Sequence, residues 1–170
     1  MNAPLASIIP GAILTAVPPA LVLFGLAVAV AILPRRIGHA VAALVALCVS
    51  GWILAAPAGI HLRTSLLGFE TVLFNVDVYS RLLAATFGFI AAVGTGYSFA
   101  TGGDRRQTAY ALAYIGSGTG AAVAGDWLTL VVFWELMAVA ATLLVWHRSS
   151  DRSIGIRYAI YHEIGGLALI

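Results

Sequence analysis

Six long apolar stretches, separated by short polar breaks, organise this chain. They run from about Ala12 to Leu33, Ile37 to Ala56, Leu82 to Thr101, Thr108 to Gly125, Trp127 to Trp146 and Ile154 to Ile170. At 1.5 Å of rise per residue each approaches or matches the roughly 30 Å of a hydrocarbon core, so the pattern predicts six transmembrane helices. Pro18 and Pro19 fall in the first turns of the first helix, where a missing N–H is tolerated, and Pro34 follows its end. The breaks PRR, GGDRRQ, GD and HRSSDRS combine turn residues with charge. The second connection, Pro57 to Arg81, is the longest and contains FETVLFNVDVY, rich in β-branched and aromatic residues. Such a segment suits an extended or hairpin piece at the outer surface, and an ordered connector is the preferred reading. The expected fold is therefore an all-α integral membrane protein. It is one membrane domain over 1–170, with the first two helices and outer connector in 1–74 and helices three to six in 75–170.

Composition agrees with this pattern. The chain is 61% hydrophobic and 9% charged, against about a quarter charged in an ordinary globular domain. Little remains for a soluble domain. A net charge of +2, with basic residues at helix ends and no basic face, excludes nucleic acid as a partner. Cys48 is the only cysteine, so no internal disulfide and no cysteine-based metal or iron–sulfur site is expected, and a small core residue is its simplest role. No cofactor is expected. Met1 to Ile9 contains no Lys or Arg ahead of the first apolar run, unlike a secretory signal peptide, and no cleaved signal is expected. Every one of the nine basic residues is Arg.

Charge in the breaks alternates in sign. Arg35 and Arg36 give +2, Arg63, Glu70, Asp77 and Arg81 cancel, Asp104, Arg105 and Arg106 give +1, Asp126 gives −1, and Arg148, Asp151, Arg152 and Arg157 give +2. One side collects +5 and the other −1. The positive-inside rule then makes the first, third and fifth connections cytoplasmic and puts both termini on the outer, periplasmic side of a plasma membrane.

Within this frame one acid stands out. Glu135 lies eight residues inside the fifth helix, roughly 12 Å from its outer end and so near mid-bilayer. An ionisable group at that depth needs a partner or a water-filled cavity, which points to an ion or proton pathway. His162 lies eight residues beyond Ile154 in the returning sixth helix, at similar depth, and the two can meet. Burial raises a carboxylate's pKa and lowers an imidazole's, bringing such a pair toward a common working range. The alternatives are a structural Glu135–His162 hydrogen bond, or a bond from His162 to a backbone carbonyl. Glu163 follows one residue on, and a helical step of about 100° turns it to a different face, toward a polar neighbour in another subunit. Asp126 suits the N-cap at the opening of the fifth helix. Gly116 and Gly120 form a GxxxG whose expected role is close helix packing. Trp52, Trp127 and Trp146 fit an interfacial aromatic belt, and the deeper Trp134 suits packing. Arg81 and Asp77 bracket the start of the third helix as candidate interfacial anchors.

The stretch AGDWLTLVVFWELMAVAATLLV, with Phe-Trp-Glu-Leu-Met at its centre, resembles the fifth helix of the antiporter-like membrane subunits. That family is shared by respiratory complex I, membrane-bound hydrogenases and Mrp-type cation/proton antiporters. NVDVYSRLLAATFGFIAAVGTGYS is similar to its third helix and RYAIYHEIGGLAL to its sixth, so the resemblance covers roughly residues 75–170. The resemblance implies a proton or sodium/proton translocating module in a multisubunit complex, not catalytic by itself. It makes Glu135 the carboxylate partner of a lysine on a seventh helix, and assigns no established role to His162 or Glu163. Family members have about fourteen helices in two inverted repeats. This chain covers the first six and has no Lys, so the implied arrangement is either a truncated or split subunit whose remaining helices and lysine come from a partner, or a fragment of a longer chain. Two further readings compete: a quinone- or haem-binding membrane anchor, for which His162 is the one deep histidine, and a non-transporting scaffold.

Overall fold

The computed structural model describes residues 17–149 and 151–168. In chain order these form α1 (Pro19–Ile32), α2 (Arg35–Ala55), β1 (Gly59–Leu66), β2 (Phe69–Val76), α3 (Val78–Thr101), α4 (Arg105–Ala122), α5 (Trp127–Arg148) and α6 (Arg152–Leu167). The protein is thus mostly helical but not all-α. The sixteen residues of β1 and β2 form an antiparallel hairpin with register Gly59↔Val76 through Leu66↔Phe69, where an ordered connector was preferred. Leu67 and Gly68 turn it with φ of 53° and 86°, the left-handed pair that matches strand twist in a two-residue hairpin. Its inner positions are filled, since Thr71, Phe74 and Val76 are all buried.

Helix starts follow local chemistry. All four aspartates are N-caps: Asp77, Asp104, Asp126 and Asp151 accept from the backbone N–H of Ser80, Gln107, Thr129 and Ser153. Asp77 and Ser80 form a reciprocal capping box. Pro18 and Pro19 start α1 instead of lying inside it, because neither can donate to the preceding turn. The expected helical residues 12–16, the segment Met1 to Ile9 and residues 169–170 lie outside the described residues. Arg35, Arg36, Arg105, Arg106 and Arg152 occupy first turns of helices where loops were expected.

Three helices, α2, α3 and α5, are long and apolar enough to cross a membrane, with mean hydropathies of 2.1, 1.5 and 2.2. Their length and composition mark a membrane protein. The described part of α1 is apolar but has 14 residues, and α6 has 16.

Helices alternate in direction, so the first, third and fifth connections meet at one end of the bundle. There Arg105 Nη1 donates to the Leu33 carbonyl at 3.1 Å and His147 pairs with Asp104. The hairpin and the α4–α5 connection meet at the other end, where Asn75 N–H donates to Val123 and Gly125 N–H to Val72. β2 therefore pairs along its free edge with the α4–α5 loop, which fixes where α5 begins. Small residues set helix separations. A Cβ on Gly116 meets Leu23 of α1 at 3.2 Å, one on Gly88 meets Ser50 of α2 at 3.1 Å, and one on Gly120 overlaps the Phe133 ring of α5. Ser50 hydroxyl donates to the Ala85 carbonyl at 2.6 Å across α2 and α3. Leu23, Val30, Ala42, Ala46, Ala91 and Leu112 fill one core, and Ile53, Phe74, Val76, Ala84 and Val123 a second against the hairpin. Cys48 is exposed on the outer face of α2, not in the core as expected. α6 packs chiefly on α5, and of its described residues only Gly155 and Gly166 are buried.

Candidate functional site

Cap, apolar run and a mid-helix acid define α5. Asp126 sets its first turn, and the aliphatic and aromatic residues that follow carry Glu135 to the ninth position. The side chain is half-buried and lies against α6. Gly166 makes this approach possible. A Cβ built there sits 3.5 Å from Glu135 Oε1 and 3.4 Å from Trp134 Nε1, so the carboxylate and the indole edge rest on the bare backbone of α6.

His162 and Glu163 lie one turn before Gly166, at i−4 and i−3, and flank the same spot. Glu163 and His162 both lie close enough for their charges to act on Glu135. The expectation that Glu163 turns away from Glu135 is thus corrected. One helical step separates Glu163 from His162, but the seat at Gly166 is flanked by both. Glu163 is also exposed and lines a small cleft of about 210 Å³ with Thr142, Trp146 and Ala159. The His162 ring lies between Trp134 and Tyr158, with centroids at 5.7 and 6.0 Å. Its Nε2 and the Trp134 Nε1 are buried with no partner among the described residues. Neither alternative for His162, a bond to Glu135 or to a backbone carbonyl, is made through Nε2. Trp134 does pack, and its partner is His162.

Asp126 is the opposite case. Its carboxylate accepts from Thr129 N–H at 2.9 Å, Thr129 hydroxyl at 2.7 Å and Val72 N–H at 2.6 Å. Burial pushes its pKa up, but these hydrogen bonds outweigh burial and hold it below the ordinary aspartate value. Asp77 is lowered mainly by the Ser80 N–H. Asp104 is lowered first by the Gln107 N–H, with His147 adding to it. Arg81 Nη2 donates to the Ala56 carbonyl at 2.8 Å, so it ties α3 to the end of α2. Trp127 and Trp146 are exposed at the two ends of α5, and Trp52 packs on Phe74.

A second polar cluster escaped the sequence reading, which placed His39 near a helix end. His39 is fully buried. Its Nδ1 lies 2.9 Å from the Arg35 carbonyl and its Nε2 3.2 Å from Thr108 Oγ1, which in turn is 2.6 Å from Ser98 Oγ. The signal lay in where α2 begins: with Arg35 in its first turn, His39 is one full turn inside.

Among the described residues, no three His, Cys, Asp or Glu side chains converge as metal ligands. Comparisons with protein-family models, curated proteins and solved structures give no match to this chain.

Proposed function

We propose that this chain is an antiporter-like, proton- or sodium/proton-translocating unit of a multisubunit complex in the plasma membrane, with Glu135 as the ion-carrying carboxylate. In this reading all six helices span the bilayer, the Arg-rich end is cytoplasmic and both termini lie outside. One observation supports the reading above the others: a second acid, Glu163, stands beside Glu135 on an apolar helix pair. Two carboxyls at such a place need a cation between them, whether proton, sodium ion or a basic side chain. The chain has no Lys, so a basic side chain of the kind the resemblance implies comes from outside this sequence. The sparsely covered face of α6 offers room for a partner helix. His162, held between two rings with a free Nε2, supplies a group that can pass a proton to or from the acids. The test is ΔpH-linked ion uptake by vesicles containing the assembled complex. Glu135→Gln abolishes uptake while the complex still assembles, and Glu135→Asp retains part of it. Normal uptake by Glu135→Gln rejects the proposal.

A further inference from the structure

At the Arg-rich end, a cleft of about 350 Å³ opens between α3 and α4. It runs from Ala91 and Ile115 up to Thr101, Gln107 and Arg148, a depth of roughly 15 Å at helical rise. Water occupies about 30 Å³ per molecule in the liquid, so the cleft has room for about ten. Its wall also has polar groups to hold them. Thr95, Ser98, Gln107 and Thr108 line it, and Arg148 adds a cation.

Thr95 is the decisive residue. It is 1% exposed, yet its hydroxyl has no partner among the described residues. Other helical hydroxyls satisfy themselves on the preceding turn: Thr86 on Leu82, Thr101 on Tyr97, Ser117 on Ala113 and Thr119 on Ile115. Thr95 forgoes that bond and lines the cleft, which is how a hydroxyl behaves when water is its partner.

The cleft also reaches the chain that ends at His39. The Arg35 carbonyl can only accept, so the His39 Nδ1 carries a hydrogen and donates to it. Nε2 is then the nitrogen that gains or loses a proton. Thr108 has one hydroxyl hydrogen and two acceptors for it, His39 Nε2 at 3.2 Å and the Asp104 carbonyl at 3.0 Å. With neutral His39 it donates to Nε2. With the imidazolium it accepts from Nε2–H and donates either to the Asp104 carbonyl or to Ser98. Ser98 donates to Thr108 as a proton enters, and accepts from Thr108 while donating to the cleft as one leaves. Both protonation states are therefore fully hydrogen-bonded, a condition for reversible proton exchange at a buried site.

We propose that the α3–α4 cleft is a water-filled vestibule through which the buried His39 exchanges protons with solvent, by way of Thr108 and Ser98. The charged groups around this end are Arg35 and Arg36 of α2, Asp104, Arg105 and Arg106 at α4, His147 and Arg148 of α5, and Asp151 and Arg152 at the start of α6, while α1 carries no charge. Asp104 is engaged by His147 and by its own cap, so His39 works in a predominantly cationic neighbourhood. This site stands whether or not Glu135 carries an ion.

The test uses the full chain in lipid nanodiscs on a Cys48→Ser background. Ala111→Cys, on the half-buried wall of the cleft, reacts with a charged, membrane-impermeant thiol reagent, whereas Val93→Cys, on the outward face of α3, reacts only with a lipid-soluble one. In ¹⁵N-histidine spectra the His39 ring hydrogen exchanges with water, and Thr108→Val slows that exchange by about tenfold, the equivalent of one hydrogen bond. Thr108→Ser, which keeps the hydroxyl, restores it. Reaction of Ala111→Cys with the lipid-soluble reagent alone assigns the cleft to an acyl chain and overturns the vestibule, as does no reaction with either. Exchange unchanged by Thr108→Val overturns the proton route.

Discussion

Asp126 opens α5 and Glu135 lies near its middle. The first accepts three hydrogen bonds, joining its own helix to the hairpin through Val72, whereas the second has a fellow carboxyl, Glu163, beside it. Apart from Glu70, exposed on β2, the remaining acids divide in the same way. Every aspartate caps a helix, while Glu135 and Glu163 sit inside helices that need no carboxylate to form. Burial alone does not separate Asp126 from Glu135, since both are half-buried. Hydrogen-bond satisfaction does: a group whose every bond is made inside the fold has nothing left to offer an ion.

This contrast can be broken by substitution. Asp126→Ala removes a cap and the tie to β2, and costs about 2 kcal/mol. Thermal unfolding in detergent shows it as a lowered Tm, together with faster amide exchange at Val72. An unchanged Tm means that the hairpin junction does not depend on this acid. A smaller effect comes from acid. Because the folded pKa of Asp126 is depressed, its contribution is fully present above the ordinary aspartate value of about 4 and is lost as pH falls through the lower, folded value. The stability difference between the native chain and Asp126→Asn therefore holds from neutral pH to about 5 and narrows below 4. A difference that instead shrinks between pH 7 and 5 contradicts the assignment. The smallest effect is expected at the other acid. Glu135→Leu changes stability by less than about 1 kcal/mol, in either direction, because replacing an uncompensated polar group by an apolar one of similar size is often neutral. A loss as large as that of Asp126→Ala would make Glu135 a structural residue and erase the contrast.

Much of this was legible from the chain itself. Apolar run lengths located all six helices, and the Gly-Asp before Trp127 located the cap of α5. Counting residues from each helix end put Glu135 and His162 at one level. What pattern could not supply was lateral placement. Glu163 joins the site because Gly166 lets α6 approach Glu135 so closely that two successive residues border it, and only packing reveals that. The hairpin was visible as β-branched sequence, but its position is set by pairing with the α4–α5 loop, through a hydrogen bond from Asn75 to the sequence-distant Val123. His39 was missed because a shift of two residues in the start of α2 decides whether it lies at the helix end or a full turn inside. Cys48 was misplaced because an apolar helix in a membrane protein gives no sign of which side faces its neighbours.

In the proposed function the Glu135 carboxyl changes its charge as ions move. Isotope-edited infrared difference spectroscopy on the assembled complex reads that charge directly, through the carboxyl carbonyl band of labelled glutamate. The account predicts a band that appears and disappears as the ion gradient is imposed and reversed, and that is absent from Glu135→Gln. A band that persists in Glu135→Gln, or one that stays constant while ions move, contradicts it.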